Sequence, residues 1–223
     1  MTVDSFDHAG LHVRIVADDD PLDPCAEFDQ TGTMVCWHSR YYLGHTGGQR
    51  RSDGEHGRKE YRGLWREPCD FEKWWKENGK GGIRLPLALL DHSGLHMWVG
   101  SGAHPLDPGG WDSGQVGWIF ITRDQILREF GGSYVKEDGE QKWVVHAKRM
   151  TSKMREKAEA CLCAEVKLYD RYLTGDVYGY IIEDDDGNHI DSCWGFYGSK
   201  DAVSQAKEAA EHAAQNLVIG GTI

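Results

Sequence analysis

The chain has 223 residues, 39% of them hydrophobic and 27% charged, which excludes a collagen-like, coiled-coil or disordered chain. Its 25 Lys and Arg stand against 36 Asp and Glu, a formal charge of −11, so no counterion release favours duplex DNA and none is expected as a partner. No run of 18 apolar residues spans a membrane, the first residues hold no basic or apolar leader, and the six cysteines show no C-x-x-C spacing; a reduced, cytoplasmic protein is expected.

Taken in chain order, a first strand is predicted over Leu11–Ala17, with Val13 and Ile15 apolar, and a second over 33–37. Residues 45–62 are polar and Gly-rich, a surface insertion. Asp70 is read as the cap of a short helix presenting Phe71, Trp74 and Trp75 on one face. A strand over 83–89 alternates, and Pro86 in it suggests an edge position. The Asp91-His92-Ser93-Gly94 turn leads to a strand over 95–99, a hairpin. After a Gly- and Pro-rich loop, the strand 116–121 is apolar on both faces and should be covered on both sides. Thr122 and Gln125 form a capping box for a short helix.

Residues 133–148 look like a second insertion, a hairpin turning at 137–139. Met154, Ala158, Leu162, Val166, Tyr169 and Leu173 then mark one face of a helix over 152–173. Strands over 177–183 and 189–196 flank a turn at 184–188, and a last helix capped by Ser199 carries Val203, Ala206, Ala210, Ala213 and Leu217 on one face. Hairpins outnumber βαβ units. The expected fold is a single α+β domain over 1–223, an antiparallel or mixed sheet with two long helices packed on it.

Four polar stretches at strand ends stand beside aromatic residues: His38, Arg40 and Tyr41; Asp91 and His92; Trp111, Asp112, Ser113 and Gln115; and 191–194 with Cys193 and Trp194. Each also has a plainer reading. Asp91 to Gly94 suits a type I turn with Gly94 at positive φ, and neighbours in so tight a turn rarely form a triad. Asp112 suits an Asx turn, while Gln115 at the mouth of an apolar strand needs a partner. Cys193 suits a buried strand position; as a nucleophile it would need a base such as His38 or His92. The 184–188 run resembles the start of a calcium loop but has Gly195 where the twelfth-position Glu belongs. No phosphate loop, dinucleotide fingerprint, G-x-S-x-G elbow or zinc-deaminase pattern is present, so no metal or cofactor is expected.

Several stretches together are familiar: Gly32-Thr33-Met34-Val35-Cys36-Trp37-His38 with Arg40-Tyr41 and Leu43-Gly44; Leu89 with Asp91-His92-Ser93-Gly94; and Trp111-Asp112-Ser113-Gly114-Gln115-Val116-Gly117. They continue through Glu165-Val166-Lys167, Tyr169-Asp170, Tyr172-Leu173 and Gly175-Asp176-Val177-Tyr178-Gly179 to Asp191-Ser192-Cys193-Trp194-Gly195-Phe196-Tyr197-Gly198. In these the chain resembles an uncharacterised family of bacteriophage and prophage proteins. The resemblance implies a phage-encoded accessory protein in the cytoplasm of the infected bacterium. The expected function is binding of a host protein or a small nucleotide ligand, countering host defence. The alternative is a hydrolase or transferase using Asp91, His92, Asp112 and Cys193 in one cleft.

Overall fold

The computed structural model describes residues 1–45, 64–137 and 140–220. The insertion expected at 45–62 therefore lies outside the described residues apart from His45, as do Asp138 and Gly139 of the 137–139 turn. In chain order the elements are β1 (Thr2–His8), β2 (Leu11–Ala17), α1 (Pro24–Glu27), β3 (Thr33–Cys36), α2 (Pro68–Asn78), β4 (Ile83–Asp91), β5 (Leu95–Val99), β6 (Ser113–Ile121), α3 (Arg123–Phe130), β7 (Gly132–Glu137), β8 (Glu140–Val145), α4 (Ser152–Thr174), β9 (Val177–Glu183), β10 (His189–Tyr197) and α5 (Ser199–Gly220). The α+β class expected from the hairpins is what forms, and every strand pairing is antiparallel. The strands form three sheets rather than the one expected from the sequence; the chain has two compact units, Met1–Leu22 with Arg171–Ile223, and Asp23–Asp170.

In the first unit the sheet order is β1-β2-β9-β10. Alternation puts Leu11, Val13 and Ile15 of β2 on one face with Tyr180 and Ile182 of β9, and α5 lays Ala202, Ala206 and Ala210 against them. The small side chains let the helix approach closely; Val203 and Ala213, expected in its seam, are half-buried at the margins. The sequence gives no sign of β1, because Thr2–His8 is an exposed edge strand with only Phe6 packed on the core.

In the second unit the order is β3-β6-β4-β5, with β7 and β8 forming a separate two-stranded sheet. The apolar strand β6 is covered on both faces, as expected. On one face Phe120 joins Val35, Trp65 and Phe71, ringed by Trp37, Trp74, Trp75 and Trp118, which accounts for much of the tryptophan. Arg84 closes that cluster, its guanidinium 4.3 Å from the Trp118 ring centroid. On the other face Ile119 lies beside Gly32 and Leu162 of α4. Gly117 is required by the β3–β6 contact: a Cβ there would lie 1.9 Å from the Val35 carbonyl oxygen.

Two local expectations are corrected. α2 starts two residues before Asp70: Glu67 is the N-cap, Pro68 opens the helix, and Asp70 is the N3 member of the capping box. Pro86 lies in a strand flanked on both sides, not at a sheet edge. It is tolerated because the β4–β5 ladder ends at Leu87↔Val99, and beyond it only the Pro86 carbonyl is used, accepting the Gly100 N–H at 2.8 Å, so no N–H is asked of the proline.

Candidate functional site

The antiparallel order of the second sheet brings the C-terminal ends of β3 and β4 to the same end as the N-terminal ends of β5 and β6. Three of the four polar stretches leave from that end. After β3, Arg40 forms an ion pair with Asp91 Oδ2, and His38 Nε2 is 3.6 Å from the same oxygen. His38 Nδ1 accepts the backbone N–H of both Arg40 and Tyr41 at 3.2 Å, so the ring proton sits on Nε2, toward Asp91. Burial lowers the His38 pKa; Asp91 opposes the shift and Arg40 adds to it. The imidazole is thus mainly neutral at pH 7, stacked on Tyr41 with 5.1 Å between centroids.

One residue along, His92 Nδ1 is 2.9 Å from Asp112 Oδ2, and the Asp91 N–H donates to the Asp112 carbonyl at 2.8 Å. Those contacts join the Arg40–Asp91 ion pair and the His92–Asp112 hydrogen bond into one polar cluster. They also revise the plainer turn reading: Asp91 bonds Arg40 rather than its own turn, and Ser93 (φ +55°) shares the positive φ with Gly94. Gln115 is exposed and finds its partner on its own strand, donating to the Gly117 carbonyl at 3.3 Å.

The loop into β6 is closed by a residue that sequence reasoning passed over, Asp107. Its Oδ1 accepts the Trp111 N–H at 3.1 Å, while Oδ2 accepts the Asp112 N–H at 2.9 Å and the Ser113 hydroxyl at 2.8 Å. The Ser113 hydroxyl, followed by backbone N–H groups, holds the Asp107 carboxyl below its ordinary range. Ser113 Oγ accepts the His104 N–H at 3.1 Å, and His104 stacks near His96 and Trp98. On this closed loop the Trp111 indole lies against Gly109 and is 90% exposed. The available signal was the turn composition Asp107-Pro108-Gly109-Gly110 just ahead of Trp111.

The fourth stretch belongs to the first unit. Cys193 lies on β10 and is exposed, not buried as its plainer reading had it, with Sγ 3.8 Å from the Trp194 carbonyl. A bulge between Cys193 and Phe196, with Gly195 at φ +85°, sets the Trp194 indole over Gly179, where a Cβ would come within 2.4 Å of it. His38 and His92, the bases considered for Cys193, face Asp91 and Asp112. In that unit a groove of about 580 Å³ lies between β1 and the first half of α5, and one of about 530 Å³ between β10 and its second half. Of the polar stretches, only Asp191 lines either groove.

The aspartate run resolves as turn chemistry, since Asp184 accepts the N–H groups of Asp186 and Asn188 at 3.0 and 2.8 Å. Among the described residues no helix is long and apolar enough to cross a membrane. Comparison of the chain with protein-family models, with curated proteins and with solved structures finds no match in any of the three.

Proposed function

We propose that this is a phage-encoded accessory protein that acts in the cytoplasm of the infected bacterium by binding a host protein, using the 104–113 loop and the adjoining Arg40–Asp91 and His92–Asp112 pairs. The observation that carries this reading is Trp111. An indole left in water forgoes roughly 2–3 kcal/mol of burial, an expense that a partner surface would recover. Because Asp107 already orders the loop, docking would cost little further conformational entropy. Tryptophan and arginine are the side chains that most often anchor protein contacts. Leu106 on the same loop is 80% exposed, so the apolar surface stands proud of the sheet and suits a partner that wraps it.

Trp111→Ala should abolish counter-defence activity, read as plating of the phage on a restrictive host, without moving the melting temperature. Wild-type plating by that variant would remove the reading. A nucleotide released on denaturation and seen by mass spectrometry would shift the function toward sequestering a small ligand.

The enzymatic alternative draws support from one geometry. Asp112 holds the Nδ1 side of His92, which leaves Nε2 on a largely exposed ring to act as a base. Turnover of a substrate panel by the wild type, lost in His92→Ala, would favour a hydrolase or transferase.

A further inference from the structure

The β7–β8 hairpin is a sheet of only two strands, paired from Gly132↔Val145 to Glu137↔Glu140, and every residue of it except Gly132 is exposed. Its attachments are concentrated at the root. The His146 and Ala147 N–H groups donate to the Gly131 carbonyl at 2.9 Å, and Trp143 Nε1–H donates to the Arg128 carbonyl at 2.7 Å. An isolated hairpin is marginal in water, and its outer edges present unpaired N–H and C=O groups. Exposed Tyr134 and Val135 make the β7 edge apolar as well.

We infer that two copies of this chain pair through β7, antiparallel about a two-fold axis at Val135, to make one continuous four-stranded sheet. The register follows from charge. Directly opposite side chains in an antiparallel pair share a face, so a two-fold normal to the sheet must set one residue opposite its own copy. With Val135 at that point, Tyr134 faces Lys136 of the second copy, an ammonium against a ring, and Ser133 faces Glu137, a hydroxyl against a carboxylate. Within the hairpin that hydroxyl is 3.1 Å from His146 Nε2 and that carboxylate accepts Lys142 Nζ at 3.3 Å, exposed contacts that the second copy would share or exchange. Both contacts between the copies occur twice. Centring on Lys136 would oppose two ammonium groups, and centring on Tyr134 would leave Lys136 and Glu137 opposite glycines. Pairing through β8 supplies no such polar contacts: a centre at Lys142 again opposes like charges, one at Trp143 sets Lys142 against Val144, and one at Gln141 engages only the tip. A centre at Val144 pairs Trp143 with Val145 but sets Lys142 against His146, which Ser133 Oγ already holds at 3.1 Å.

The test is sedimentation velocity on the full chain. Between ~1 and ~200 µM the mass should rise from 25.1 kDa toward twice that value. Ser133→Glu sets a carboxylate against Glu137 at two places and should weaken association by about tenfold, whereas Ser133→Lys should tighten it by a similar factor. Position 133 is exposed, so both variants should keep the wild-type circular dichroism. A wild type that stays at the mass of one chain throughout overturns the inference. So does a dimer whose affinity neither Ser133 variant changes, because its contact would then lie elsewhere.

Discussion

Glu165 ties α4 to the strand it covers. Its Oε1 accepts the Thr31 N–H at 2.6 Å and its Oε2 the Gly32 N–H at 2.9 Å, where the chain enters β3. Gly32 is what permits the approach, since a Cβ there would lie 2.3 Å from Leu162 Cδ2. Glu165→Leu should leave two donors unmet, at roughly 1–3 kcal/mol each, whereas Glu165→Gln keeps an acceptor oxygen and should cost less. Urea unfolding at pH 7 measures both, and a Leu variant as stable as the wild type would show that water already serves these groups. Burial raises the Glu165 pKa, with the two N–H bonds pulling it back. The native state therefore holds this proton more tightly than the unfolded chain does. The contribution is complete below the ordinary value of about 4.3 and is lost as pH rises through the raised one, a slope that Glu165→Gln should remove.

Among the elements, the 104–113 loop is anchored at His104 by ring contacts and closed beyond it by two backbone turns and the Asp107 side chain, so its outer part can be loosened without unfolding the sheet. Asp107→Ala should speed hydrogen exchange at Trp111 and Asp112, leave exchange across β6 unchanged, and weaken partner binding by about tenfold through lost preorganisation. Unchanged exchange at both amides would mean the loop is held by something else. Asp107 lies below the usual carboxylate range, so its support is present above about 3.9 and lost only as pH falls through the lower native value; the loop should be as ordered at pH 5 as at pH 7. That a loop lies here is legible in the Gly and Pro content, but bonds from Asp107 to residues four to six further on have no periodicity to read. Where a signal is periodic or local, the sequence is a good guide: the Thr122–Gln125 capping box and the Met154-to-Tyr169 seam both form as expected. It misleads where one cue competes with another. Asp70 is a fair N-cap residue, yet Pro68 fixes the helix start earlier.

At the scale of the whole molecule, what a single sequence lacks is strand order. Residues 38–41, 91–92 and 112–115 meet because β3, β6 and β4 are neighbours, which no spacing along the chain reveals. Cys193 belongs to the other unit, and the sequence does not show that either, because the first unit is assembled from both ends of the chain, with residues 23–170 lying between its two segments in sequence. Its central pairing, β2 with β9, is thus a contact of very long sequence separation, whereas the second unit closes entirely within its own segment. Units with separate cores are expected to open separately. Of the nine tryptophans only Trp194 is in the first unit, so fluorescence chiefly follows the second. In urea, hydrogen exchange read by mass spectrometry should give one midpoint for peptides of β2 and β9 and another for β6 and α4, with the fluorescence midpoint matching the latter. Trp194→Phe should leave that fluorescence midpoint where it was. One midpoint shared by all four peptides and by fluorescence would show that the two units unfold as a single cooperative block, and would count against their independence.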